Sequence, residues 1–157
     1  MTKESKNKNF SKNIQVVLDI LKNEVAGDVV SALKKMTKDY TMTWVDTGND
    51  GKRLFPTTKP NLKVELEDIY PIKDRQYDIK NIAEGDNVVM VELAESYPDQ
   101  KTKKVYRTPL VLVLEMKGGK IRTGRHYLDP KLSYKHLTKK QIEKAYKNSK
   151  GSILIIK

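Results

Sequence analysis

The chain has 157 residues, 38% hydrophobic and 32% charged, with no cysteine and a formal charge of +11. That length supports one domain with a real core. The missing cysteines exclude disulfides, thiol catalysis and cysteine-ligated metals, and no apolar run approaches the ~20 residues of a membrane span.

Residues 1–10 read as a disordered, basic lead. Ser11 suits the N-cap of a helix whose apolar positions Ile14, Val17, Leu18 and Leu21 follow i, i+3, i+4, i+7, widened by Val16 and Ile20. Ala26-Gly27 breaks it, and Asp28 caps a second helix with Val29, Val30, Leu33 and Met36 inward. Asp39 to Val45 is β-branched and aromatic and reads as a strand; residues 46–51 have loop chemistry. Leu62, Leu66, Ile69 and Tyr70 suit a short helix between Pro60 and Pro71.

From residue 76 the pattern is β. Strands are expected at Gln76–Ala83, Asn87–Tyr97, Val105–Met116 and Lys120–Leu128, with turns at Glu84-Gly85-Asp86 and Gly118-Gly119. Four consecutive strands joined in this way form an antiparallel meander. Thr138-Lys139-Lys140-Gln141 has capping-box spacing and opens a last helix, closed near Gly151. The final Ile153–Ile156 run needs a sheet edge, the core or another subunit as partner. Helices first and a curved sheet afterwards imply an α+β domain with helices on one sheet face.

The basicity lies at the ends. Residues 1–13 hold four Lys and one Glu, residues 131–157 eight Lys and one Glu, and +1 remains for residues 14–130. Lysine-rich ends read as solvated segments, and a nucleic-acid site more often interleaves arginines and aromatics. Neither nucleic acid nor membrane is the expected partner. With no apolar leader segment at residues 1–9, a cytoplasmic location is expected, although a secreted form with its signal removed would look the same.

The chemistry centres on the last strand of the meander. Simple alternation puts Arg122, Gly124, His126 and Leu128 on one face, with Ile121, Thr123, Arg125, Tyr127 and Asp129 on the other. Histidine exchanges protons near neutrality. Glu92 shares its face with Met90 and Ala94; on a cavity-facing strand it could hydrogen-bond His126, while Arg122 could bind a carboxylate or enolate. The bland readings are an interior histidine without a catalytic role and a Glu92 that pairs with Arg107 or Arg122. Two histidines ten residues apart make a poor metal site, and Gly118-Gly119 is a turn, so no metal or cofactor is expected.

The helix–Gly-Asp–helix start, the stretch Lys38–Trp44, and Glu84-Gly85-Asp86-Asn87 opening a long strand resemble nuclear transport factor 2-like domains. Gly119-Lys120-Ile121 followed by Arg125-His126-Tyr127-Leu128-Asp129 resembles the closing strand of its SnoaL-like polyketide cyclase and limonene-epoxide hydrolase branches. The resemblance spans roughly residues 11–130 and leaves 131–157 as a C-terminal helix and apolar tail. It implies a cone-shaped fold with an apolar pocket, and a homodimer through the outer sheet face.

The epoxide-hydrolase catalytic positions fall at Met42, Trp44, Glu92, Ala94 and His126, so that relay is absent. The ketosteroid-isomerase aspartate falls near Trp44, and Asp46 does not keep its register. The SnoaL-like acid/base falls at His126. The expected site therefore has His126 and Glu92 as catalytic candidates, and a pocket of Met42, Trp44, Met90, Thr108, Leu110, Arg122 and Leu128 for a small apolar or polyketide-like ligand. A non-catalytic binding or dimeric interaction module is the alternative.

Overall fold

In a computed structural model, the described residues are 10–45, 56–58 (backbone only), 67, 72–129, 131–132, 135–147 and 151–157. The expected loop at 46–51 and nearly all of the short helix before Pro71 lie outside them.

Helix α1 (Lys12–Ala26) starts at Ser11, whose Oγ accepts from the Ile14 amide at 3.2 Å. It ends at Gly27, which takes the left-handed φ of 73° that a side chain would resist. Helix α2 (Val29–Lys34) is capped by Asp28, which accepts from the Ser31 amide. Met36 is buried as expected, but as the first residue of β1 (Met36–Val45); Val30 points to solvent.

Strand β2 (Pro56–Thr58) precedes the meander of β3 (Gln76–Gly85), β4 (Val88–Pro98), β5 (Val105–Lys117) and β6 (Lys120–Leu128). The β3–β4 and β5–β6 turns are two-residue, with positive φ at Asp86 and Asn87 and at Gly118 and Gly119. Such turns match the twist of hairpin strands. Helix α3 (Lys139–Ala145) starts in the expected Thr138–Gln141 capping box. The final β7 (Leu154–Ile156) finds its partner at the sheet edge, antiparallel to β3. The strand order is β2-β1-β6-β5-β4-β3-β7, antiparallel except for the parallel β1–β6 pair.

Both ends of α1 are tied to β3. At its start, Ser11 Oγ and Asn13 Nδ2 hydrogen-bond the Glu84 carboxylate, Asn13 at 2.7 Å. Near its end, the Tyr77 hydroxyl donates to Glu24 at 2.7 Å. Since Tyr77 and Glu84 lie at opposite ends of β3, the helix runs along that strand. Its buried Val17, Leu18, Ile20 and Leu21 cover Ile79, Val89, Val91 and Leu93. Each such side chain contributes roughly 1.5–3 kcal/mol by burial.

Two features of this core are unusual. A Cβ on Gly124 would sit 2.8 Å from Met42 Sδ and 2.9 Å from the Tyr40 hydroxyl. Tyr40 and Met42 thus fill the space that a side chain on β6 would take. Beneath the end of α1, Arg75 is 7% exposed and donates to Glu95, with Tyr77 3.4 Å away and the Tyr97 ring 5.3 Å from its guanidinium carbon. Burial pushes the Glu95 carboxyl above its ordinary range, partly offset by Arg75. Burial likewise raises the Tyr77 and Tyr40 hydroxyls.

Two substitutions test this packing. Gly124→Ala should destabilise by about 1–3 kcal/mol in urea unfolding through overpacking, and Met42→Ala should recover part of that loss. Arg75→Met strands a buried carboxylate and should cost about 3 kcal/mol or more, whereas the double change Arg75→Met with Glu95→Leu should cost far less.

Candidate functional site

The faces of the central strands follow from register and burial. The row Ile79–Leu93–Leu110–Leu128 and the row Val91–Leu112–His126–Trp44 face inward, toward α1. The row Asn81–Glu92–Val111–Tyr127 faces outward, with Val111 36% and Tyr127 40% exposed. Strand β1 contributes Tyr40, Met42 and Trp44 to the inner face by its parallel register with β6: Met42 lies beside Gly124 and Trp44 beside His126.

The inner face therefore brings together Met42, Trp44, Leu110, His126 and Leu128 from the expected set. Thr108, 5% exposed, adjoins them opposite Glu95. Leu110 and Leu112 are buried, while Met42, Trp44, His126 and Leu128 are half-buried. An imidazole next to an indole on an apolar floor can contact an apolar ligand and exchange a hydrogen bond or proton with it.

Three expected members lie elsewhere. Met90 and Glu92 are on the outer face: β4 buries Val89, Val91 and Leu93, so the residues between them point away. Met90 is 50% exposed. Glu92 accepts from Asn81 Nδ2 at 2.5 Å and faces away from His126, so the expected Glu92–His126 hydrogen bond is replaced by a cross-strand contact on the opposite side of the sheet. Arg122 is displaced by a β-bulge. Glu115 pairs with Thr123 and Met116 with Ile121, leaving Arg122 as the extra residue. The bulge turns Ile121 inward, 2% exposed, and Arg122 outward to an exposed ion pair with Asp39 at 3.2 Å.

The polar residues that the inner face does carry include Glu95, with Arg75 and Tyr77 beside it. Their signal in the sequence was weak: Glu95 follows the Ala94 of an apolar strand, and Arg75 precedes β3 without any motif. An open groove of about 450 Å³ adjoins Arg75 from the sheet edge, between Lys22, Val25 and Ala26 of α1 and Gln76 and Ile156. Among the described residues, no helix is long and apolar enough to cross a membrane.

No protein family matches the sequence, and no curated protein matches it. Solved structures match in fold. A nuclear transport factor 2-like protein of unknown function from Burkholderia pseudomallei K96243 has a TM-score of 0.64 at 14% identity, covering 78% of this chain and 94% of that one. TerC, co-crystallized with polyporic acid, has a TM-score of 0.64 at 15% identity, with 76% and 92% covered. SalBIII, an epoxide hydrolase/cyclase-like enzyme in pyran ring formation in polyether salinomycin, has a TM-score of 0.62 at 16% identity, with 75% and 91% covered. The helices laid on a mostly antiparallel sheet, with β1 returning parallel to β6, are thus the nuclear transport factor 2-like α+β fold.

Proposed function

We propose that this chain binds a small, largely apolar, polyketide-like molecule against the inner sheet face, as SnoaL-like proteins do. His126 is its polar contact and the acid/base of a cofactor-independent proton transfer, of the cyclase or isomerase type. The observation that carries the reading is the pairing of Trp44 with His126 across β1 and β6, half-buried among Met42, Leu112 and Leu128. TerC was co-crystallized with polyporic acid, which makes that compound a reasonable probe. Glu92 has no part in this chemistry.

A second reading rests on the outer face, where Met90, Val111 and Tyr127 are exposed together. There the chain forms a homodimer, with or without catalysis.

Trp44 is the only tryptophan, so its fluorescence reports directly on the inner face. Polyporic acid should quench it saturably. His126→Leu keeps the floor apolar but removes the hydrogen bond; it should weaken polyporic acid about tenfold, or about 1.4 kcal/mol, and leave naphthalene unaffected. Absence of saturable quenching, or equal loss for both probes, would sink the inner-face reading. For the outer face, sedimentation velocity of the wild type should show a dimer that Val111→Glu converts to monomer, with quenching retained. A monomeric wild type ends that second reading.

A further inference from the structure

Two lysine groups that lie far apart in sequence are brought to one end of the molecule. The first is the β4–β5 loop, Asp99-Gln100-Lys101-Thr102-Lys103-Lys104. It is closed by the Asp99 amide donating to the Lys104 carbonyl at 2.7 Å and the Lys103 amide donating to the Asp99 carbonyl at 2.9 Å. Lys101, Lys103 and Lys104 are all exposed. The second group is Lys135, Lys139 and Lys140, exposed around the start of α3.

Four contacts join them. Arg107 Nη1 donates to the Leu137 carbonyl at 2.7 Å, and the Arg107 amide donates to the Lys135 carbonyl at 3.5 Å. His136 stacks on Tyr106 with ring centroids 4.4 Å apart, and its Nε2 lies 3.1 Å from Asp99 Oδ2. The same Asp99 carboxylate accepts from the Thr102 hydroxyl and the Lys101 amide, each at 2.8 Å, and from the Tyr106 hydroxyl at 2.9 Å. Those bonds hold Asp99 well below the ordinary carboxylate range, the Thr102 hydroxyl contributing most.

The charge balance of this end is lopsided. Six lysines face two acids, Asp99 and Glu143, and none of the six forms an ion pair with another described residue. Cations gathered within a Debye length repel one another, and a polyanion that displaces their counterions gains by doing so. Lysine is a point charge suited to phosphate oxygens, without the planar fork that reads guanine. Tyr106 already stacks on His136 and lies 5.5 Å from Tyr97, so it offers no free ring to splayed bases. The exposed large hydrophobics among the described residues, Val30, Met90, Val111, Tyr127 and Ile155, all lie outside these segments, so the described part of the patch carries no apolar wedge for a bilayer.

We infer that this end of the chain, the 99–104 loop with the 135–140 segment, is a docking surface for the phosphate backbone of duplex nucleic acid, bound by charge and without base specificity.

The test is fluorescence anisotropy of a labelled duplex of arbitrary sequence with the full-length protein, at about 50–200 mM salt. Binding should be micromolar and fall with salt at a log–log slope of about −5, roughly one unit per lysine. Replacing Lys101, Lys103 and Lys104 with Gln should cut that slope by about half, and so should replacing Lys135, Lys139 and Lys140. The combined variant should lose binding by at least about tenfold at the lowest salt, with circular dichroism and melting temperature unchanged. A slope untouched by either triple change overturns the inference. So does loss of binding on changing Lys3, Lys6 and Lys8 to Gln instead, or equal, patch-dependent binding to phosphatidylserine vesicles.

Discussion

The two-ended attachment of α1 to β3 governs what the rest of the sheet can do. Glu84 holds the start of the helix and Tyr77, through Glu24, holds its end. A helix fixed along β3 covers the inner face of β3 and β4 with four buried apolar side chains. The inner face of β1 and β6 then carries the half-buried residues, and Trp44 and His126 are among them. Neither tie is strong alone. A net hydrogen bond contributes about 1 kcal/mol, slightly more to a carboxylate. Their effect is geometric: they select which part of the face is core and which part is left half-buried.

The same attachment explains the buried charge at the end of α1. Glu24 must reach Tyr77, and this brings a second carboxylate close to Glu95. Arg75 offsets both, which is why the cluster is buried without becoming untenable. An apolar cluster of the same volume would often be as stable. The network therefore buys position more than stability, holding the last turn of α1 and the first residues of β3 in one register.

Much of the fold was legible in the sequence because its signals are local. Ser11, Asp28 and the Thr138–Gln141 pair each cap the helix that their spacing announces. The four strands of the meander end within about two residues of where turn chemistry places them. The failures concern which way residues point. Val88 to Val91 are apolar at both parities, so the pattern alone could not tell which residues of β4 face α1. Choosing the wrong parity sends Glu92 and Met90 to the wrong side and hides Glu95. In β6 the bulge reverses the parity of Ile121 and Arg122, so Ile121 turns inward and Arg122 outward while His126 and Leu128 keep their inward face. A bulge is set by the pairing of two strands, β5 and β6 in this chain, and a single-strand pattern cannot reveal it. The edge role of β7 was open for the same reason, since pairing is non-local.

Charge distribution gives a different lesson from charge counting. As a linear sequence, the lysines after residue 130 form a tail, and tails are normally solvated. Folding alters their meaning by docking residues 135–138 on β5 and the 99–104 loop through Arg107, Tyr106 and Asp99. The one acid best placed to neutralise the patch spends its hydrogen-bonding capacity on holding the loop and His136 together. Its charge still offsets one lysine, but its lone pairs are committed to structure. A carboxylate used in this way concentrates cations at one end of an otherwise nearly neutral body.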